Sequence, residues 1–404
     1  MADPAARTPA RPAALHAAPK GPPPWNNPRV RAVVFQIVAL GLVVWFGWTI
    51  FNNTLTNMES RGITTGFGFL DNTAGFGILF SLIPYDESNT YGRTFVVGLL
   101  NTLLVAFLGI LFATLIGFLL GVARLSSNWL IAKMALVYIE ITRNIPPLLQ
   151  IFFWYYAVLR TLPGPRQSLD LLGAVHLNNR GLYIPWPHPE TGFWAVGVAL
   201  AVAVTGAALL LRWARRRQDQ TGRRFPAGWA SFGLVLGLPL AVFWLTGGPV
   251  AWDLPALDGF NFKGGARLIP EFIALWAALT IYTASFIAEI VRSGIEAVSH
   301  GQTEAAQALG LKRGPALRLI IIPQALRVII PPLTSQYLNL TKNSSLATAI
   351  GYPDLVGVFM GTTLNQTGQA VEIVAMTMAV YLTISLSIAF LMNLYNRAVT
   401  LRER

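Results

Sequence analysis

The chain has 404 residues, 54% of them hydrophobic and only 12% charged, about half the charged share of an ordinary soluble domain, so the composition selects a polytopic membrane protein. A net charge of +12 would point to nucleic acid in a soluble protein; here basic loops on one side of a bilayer and contact with anionic lipid account for it, and no nucleic-acid partner is expected. The absence of cysteine excludes disulfides, thiolate metal sites and cysteine nucleophiles.

Residues 1–31 are rich in Ala, Pro and Arg and read as a disordered cytosolic tail. The apolar run Val33–Phe51 is long enough as a helix to cross a hydrocarbon layer of about 30 Å. Its long Pro-rich lead and the lack of a small-x-small cleavage site predict an uncleaved first span. Further spans are predicted at 94–122, 134–159, 193–211, 229–246, 269–292, 318–341 and 374–396, about eight in all. The arginines of 212–224 and the basic residues of both termini then fall on one side, which the positive-inside rule makes cytosolic. Residues 52–92 are Gly- and Phe-rich and fall outside; they read either as a loop lying on the membrane surface or as a docking surface for an external partner. The expected divisions are the tail (1–31), an extra first span with its outer loop (32–93), two core spans (94–160), an insertion of two spans between Pro-, Gly- and Trp-rich loops (161–267), and the last three core spans (268–404). No internal repeat is visible, which counts against carriers built from repeated halves.

The stretch SHGQTEAAQALG at 299–310 departs from the apolar background. Ser299 with Gln302 fits a capping box, Glu304 suits the first turn, and Ala305, Ala306 and Ala308 favour helix with little bulk. Gly310 fits the left-handed position that ends a helix. Gly314-Pro315 starts a second helix, and Pro323 is expected to interrupt it before the bilayer. The segment therefore predicts a helix, a sharp turn and a helix over 294–322, with an alanine face that another surface can approach closely. A connecting loop that is merely helical has the same local signature.

EAAQALG followed nine residues later by IIIP resembles the coupling-loop signature of bacterial ABC-importer permeases. Ile322 stands where that pattern has Leu, and Ser299-His300 where many relatives have Pro. The segments 89–126, 138–156, 282–298 and 323–351 are similar to the core spans of polar-amino-acid permeases, and the extra span and insertion resemble the longer permeases of general L-amino-acid importers. The resemblance implies an all-α fold with a five-helix type I importer core, placed in the bacterial inner membrane with both termini cytosolic. It implies an ATPase-coupling surface at Gly301, Glu304, Ala305, Ala306, Leu309 and Gly310. It also implies a second homologous permease, two copies of a P-loop ATPase carrying ATP and Mg, and a periplasmic amino-acid-binding protein.

The chain itself has no GxxxxGK[ST] phosphate cradle and is not expected to be an enzyme. Its four histidines show no ligand spacing, so no metal is expected. Polar groups within spans are costly, which makes them candidates for a solute pathway: Asn101, Glu140, Arg143, Gln150, Glu289, Asn339, Lys342, Asn343 and Ser345. Each has a structural reading beside it, such as Glu140 and Glu289 neutralising Arg143 and Arg292, Asn101 and Asn339 bonding between helices, or Lys342 reaching headgroups. Pro146-Pro147 and Pro331-Pro332 are expected to break their helices. The expected activity is ATP-driven import of L-amino acids by alternating access. A permease for another solute, an osmolyte or methionine, and an ion-coupled secondary carrier remain open alternatives.

Overall fold

In a computed structural model the described residues are 28–60, 65–171 and 173–399. They fall into two units, one ending at Gly66 and one running from Phe67. The first unit holds helix α1 (Pro28–Ser60). Of the expected tail, residues 1–27 lie outside the described residues, and 28–31 already belong to α1, because a proline in a first turn forfeits no intrahelical bond. The helix also continues through 52–60, where loop was expected. Polar residues are accommodated there by bonding to their own helix, as when Thr54 donates to the Ile50 carbonyl at 2.8 Å.

The second unit begins with a segment over 67–90 and then α2 (Tyr91–Arg124), capped by Thr90. Next come α3 (Trp129–Asn144), capped by Asn128, and α4 (Pro147–Phe152), which continues as a π-helical turn over Phe153–Leu159. The insertion holds α5 (Phe193–Thr221) and α6 (Ala227–Leu245). After it come α7 (Pro270–Glu296), α8 (His300–Ala308), α9 (Arg313–Ala316), α10 (Ile322–Asn343), α11 (Leu364–Thr367) and α12 (Ala370–Val399). Among the described residues, seven helices or helical runs are long and apolar enough to cross a membrane. The span expected at 134–159 is not one helix: Ile145-Pro146 separates α3 from α4, because a proline and the residue before it both resist helical continuation.

The loops of the insertion are a second correction, since they form strands. β1 (Leu169–Leu171), β2 (Val175–Asn178), β3 (Gly181–Ile184) and β8 (Ala266–Leu268) make one antiparallel sheet in the order β1-β2-β3-β8. β4 (Trp186–Pro189) pairs with β5 (Val250–Asp253), and β6 (Ala256–Asp258) with β7 (Asn261–Lys263). The buried Tyr183 anchors them, donating to Asn261 Oδ1 at 2.8 Å. Connectivity sorts the helix ends. β4 leads into α5, α6 leads into β5, and β8 leads into α7, so these ends share a sheet side; the far ends of α5 and α7 share the opposite side with α8 and α9.

α2 and α7 form the centre of this unit. Gly117 and Gly121, four residues apart and so on one face of α2, let it press onto α7. A Cβ on Gly117 would lie 2.6 Å from Ile287 Cβ, and one on Gly121 2.7 Å from the Ala288 carbonyl oxygen. Around this contact Val105, Ala113, Leu275, Leu279, Ile287, Ile329 and Leu340 are buried together. The segment 67–90 is partly core and does not simply lie on a surface: Phe69 and Ala74 are buried, and the Phe80 ring stands 6.0 Å from that of Phe272 and 6.2 Å from that of Tyr352.

Candidate functional site

Two features stand at opposite ends of α7. At its far end is the hook formed by α8 and α9. α8 ends in a Schellman motif: Leu311 N–H donates to the Ala306 carbonyl at 3.0 Å and Gly310 N–H to that of Gln307 at 2.8 Å, with Gly310 at φ 73°. The N-terminus differs from the expected capping box. Ser299 makes no side-chain capping bond; His300 Nδ1 meets Glu304 Oε1 at 3.1 Å, and Gln302 Oε1 accepts from Gln324 Nε2 of α10 at 3.2 Å. Gly301, Glu304, Ala305, Leu309 and Gly310 are exposed, Leu309 by 78%, whereas Ala306 is buried against its own chain. Pro323 does not break the chain's course. The π-helical turn over Leu317–Ile321 carries α9 into α10, and proline then sits in the new helix's first turn. A cavity of about 560 Å³ lies under the hook, lined by Glu296, Val298, His300, Gln307, Leu311 and Leu317 among others.

Above the hook, Arg292 Nε reaches both Glu289 carboxylate oxygens at 3.1 Å, and its other end pairs with Glu296. Arg143 lies over the Phe286 ring at 5.2 Å, and the Glu140 carbonyl accepts from Asn144 Nδ2 at 2.7 Å, so Glu140 bonds to Asn144 and Arg143 turns to Phe286. Gln150 is buried and donates to the Thr142 and Ile145 carbonyls at 2.8 and 3.0 Å. Those are acceptors at the α3–α4 break, so Gln150 repairs the break that Pro146-Pro147 makes.

The second feature is a longer helix break after α10. Pro331 and Pro332 lie inside α10 without interrupting it, contrary to expectation; packing against α7 and α12 holds the helix where the ladder loses two bonds. The chain instead tightens to a 3₁₀ turn over Ser344–Ile350, reverses at Gly351 (φ 77°) and leaves through a π-wound stretch over Val356–Thr363 into α11. The reversal meets α2 at Asn101, ten residues from the helix start at Tyr91, or about 15 Å along its axis. Irregular backbone at such a depth is tolerated only where protein or an aqueous cavity satisfies it. Here protein does much of this. Asn101 Nδ2 donates to the Pro353 and Phe80 carbonyls, each at 2.9 Å, Thr102 Oγ1 accepts from Leu355 N–H at 3.0 Å, and Tyr352 OH donates to the Asn101 carbonyl at 3.1 Å. Asp354 is fully buried; its Oδ1 accepts from Gly357 N–H at 2.8 Å, and its Oδ2 has no hydrogen-bond partner among the described residues. The Tyr381 hydroxyl stands beside Thr102, Ser344 and Asp354.

Cavities flank the reversal on two sides. One, of about 310 Å³, is lined by Ile78, Thr348, Tyr352, Pro353, Val358 and Thr362 among others. The other, of about 400 Å³, is lined by Lys342, Ser345, Val356, Met360, Thr377, Met378 and Tyr381. Of the residues named from sequence, Lys342 and Ser345 share the second cavity, with Asn343 next to them in the chain and Asn101 behind the reversal. Asn339 is exposed on α10, Arg143 reaches from α3 to Phe286 of α7, Gln150 bonds at the α3–α4 break, and Glu140 and Glu289 bond within their own helices. Tyr352, Asp354 and Tyr381 were missed, as was the buried Glu271, which accepts from Tyr155 OH at 2.8 Å. For the first two the signal was present as GYPD, a Gly-x-Pro-Asp turn following a helix that ends in polar residues.

Residues 227–401 match the family described as "Binding-protein-dependent transport system inner membrane component". Over 386 residues the chain is 58% identical to a putative amino-acid ABC transporter permease protein of Escherichia coli, YhdX, covering 95% of this chain and 98% of that one. It is 52% identical to the general L-amino acid transport system permease protein AapQ of Rhizobium johnstonii, covering 94% of each. It is 43% identical to the glutamate/glutamine/aspartate/asparagine transport system permease protein BztB of Rhodobacter capsulatus, covering 93% of this chain and 95% of that one. An all but complete alignment at these identities, over a helical membrane bundle with a protruding hook, leaves one family: the chain belongs to the inner membrane components of binding-protein-dependent transport systems, the permease subunits of ABC transporters.

Proposed function

We propose that this permease imports L-amino acids across a bacterial inner membrane, with the hook side in the cytosol and both termini there. It pairs with a second, homologous permease, receives cargo from a periplasmic amino-acid-binding protein, and is driven by two copies of a P-loop ATPase that hold ATP and Mg. The observation that carries the reading is the hook. It has an outward face of Gly301, Glu304, Ala305 and Leu309, and it is joined covalently to α7 and by Gln302–Gln324 to α10. The names of the long relatives support the amino-acid cargo.

In this reading α7 is the transmitting rod. Its 27 residues span about 40 Å. Glu296 lies beside the hook cavity, and at the other end Phe272 touches Phe80 and Tyr352 at the helix reversal. Pressure on Leu309 and Ala305 as the ATPase closes would tilt α7, and with it α2, to which it is tightly packed. The reversal at 344–355 would then expose one cavity or the other. Lys342 and Ser345 would meet a carboxylate or amine of the cargo there. Asn101 and Thr102 hold the reversal and act as positioning residues.

The test is uptake of radiolabelled amino acids by cells or proteoliposomes carrying the assembled transporter, with Ala305→Trp beside wild type. The variant is expected to insert normally, to lose copurification with the ATPase, and to lose most uptake. Full uptake and full copurification in Ala305→Trp would sink the hook as the coupling surface. Uptake of betaines or methionine with no competition from other L-amino acids would replace the cargo class.

A further inference from the structure

We propose that the hook-side end of the α5–α6 hairpin is a binding site for anionic phospholipid headgroups. The argument starts from two lengths. α5 has 29 residues and α6 has 19, or about 43 Å against about 28 Å. Only the shorter matches a hydrocarbon layer of about 30 Å. Their sheet-side ends are level: β4, before α5, pairs with β5, after α6, and Glu190 N–H donates to the Pro249 carbonyl at 3.0 Å. The extra turns of α5 therefore project from the other side.

That projection is where the charge lies. Arg212, Arg215, Arg216 and Arg217 are on it, Arg223 and Arg224 are on the return to α6, and Asp219 is the one acid between 212 and 224. All six guanidinium groups belong to exposed residues, and among the described residues none of the six forms an ion pair. Arg217 lies over the Trp213 ring at 5.1 Å, and Trp213 meets Phe225 edge-on at 5.6 Å. An amphipathic aromatic pair of this kind belongs at the headgroup level. It sets Arg212, Arg216 and Arg217 at the depth of lipid phosphates, for which the planar guanidinium fork is suited. Below them Leu209, Trp229 and Phe232 are exposed and offer an apolar wall to acyl chains. Keeping positive charge on one side needs only a basic loop; it does not call for a helix that overshoots its partner and clamps a guanidinium on a tryptophan. The cargo and ATPase assignments play no part in this inference.

The test uses the full-length chain purified from membranes and placed in nanodiscs of phosphatidylethanolamine with either phosphatidylglycerol or phosphatidylcholine. Retention of the anionic lipid is read by native mass spectrometry, and its apparent affinity by titration with fluorescent phosphatidylglycerol. Wild type is expected to retain phosphatidylglycerol over phosphatidylcholine and to lose it at high salt. The triple variant Arg212→Gln, Arg216→Gln, Arg217→Gln is expected to lose about a hundredfold in affinity, about fivefold for each charge removed from an anionic surface. The sheet-side triple Arg166→Gln, Arg180→Gln, Lys263→Gln is expected to bind as wild type does. Inorganic phosphate is expected not to compete; competition by phosphate alone would reassign the site to free anions and overturn the lipid assignment. Equal retention by wild type and the first triple, or equal loss in both triples, would also overturn it. Should the first triple fail to fold, the wild-type preference and its salt dependence still decide, since salt-insensitive or unselective retention contradicts the proposal.

Discussion

Asn101 joins three pieces of chain that are distant in sequence, because its one amide group donates to the carbonyls of Phe80 and Pro353 from the wall of α2. Asn101→Leu would keep the volume and take this donor from the buried Pro353 carbonyl, a loss of about 1–3 kcal/mol, and from the part-buried Phe80 carbonyl, a smaller one. We expect a lower melting temperature of the purified permease and uptake reduced at least several-fold. Thr102→Val removes one acceptor, for Leu355 N–H, and should show a smaller loss in the same assays. If Asn101→Leu melts like wild type, the amide does not hold the reversal. At the hook the residues divide differently from the alanine face visible in the sequence. Ala305 is exposed and Ala306 fully buried, so a large side chain at 306 should destabilise the hook itself by about 1–3 kcal/mol through overpacking. Ala306→Leu is therefore expected to raise proteolytic cleavage within 297–312, while Ala305→Trp leaves that cleavage unchanged and acts on partner binding alone.

Between elements the decisive quantity is how closely two helices approach. Gly117→Leu places a branched side chain where a bare Cβ already meets Ile287 Cβ at 2.6 Å, whereas the site of Gly233→Leu on α6 has nothing within 4 Å. Without a hydrophobic driving force between helices in lipid, association depends on such close packing. Gly117→Leu is expected to give little folded, monodisperse protein on size-exclusion chromatography, and Gly233→Leu to elute as wild type does. Elements of this kind were legible in the sequence because length and apolarity are local properties. Seven of the predicted spans reappear as helices or helical runs, although α1 and α5 continue nine and ten residues past their predicted ends at Phe51 and Leu211, and Gly310 ends its helix as its composition requires. The eighth, 134–159, was misread because apolarity says nothing of backbone continuity, although Pro146 already stood in the run. The prolines show the limit of local reading from both sides. Pro146-Pro147 breaks its helix and Pro331-Pro332 does not; the second pair is held by neighbours on α7 and α12 that no local pattern reveals. The strands of the insertion were missed for a related reason, since β3 and β8 are only four and three residues long and far apart in the chain. The candidate site was legible only in part. Lys342 and Ser345 stand out in the sequence as polar residues at a span's end and line one cavity, which Tyr381 joins through folding alone.

For the whole molecule, the chain tracing commits the hook, the far end of α5 and the ends of α2 and α7 to one side, and the sheets with the segment 67–90 to the other. The proposed orientation puts the first side in the cytosol, in keeping with the positive-inside rule, since Arg124, Lys133, Arg212, Arg215, Arg216, Arg217 and Lys312 all fall on it. The absence of native cysteine makes this directly measurable, since a single introduced thiol is then the only one in the chain. Ala305→Cys on α8 and Gln218→Cys on α5 are expected to stay unlabelled by a membrane-impermeant maleimide in intact spheroplasts and to label after permeabilisation. Asp258→Cys on β6 and Glu87→Cys in the 67–90 segment are expected to label without it. With the permease expressed without its ATPase these positions are exposed, so accessibility reports the side of the membrane and not burial. The four sites also test the proposed mechanism as a unit, because α7 can transmit force inward only if its hook and its Phe272 end face opposite compartments. Labelling of Ala305→Cys from outside would invert the bundle, and a hook facing outward would be out of reach of an ATPase that draws on cytosolic ATP.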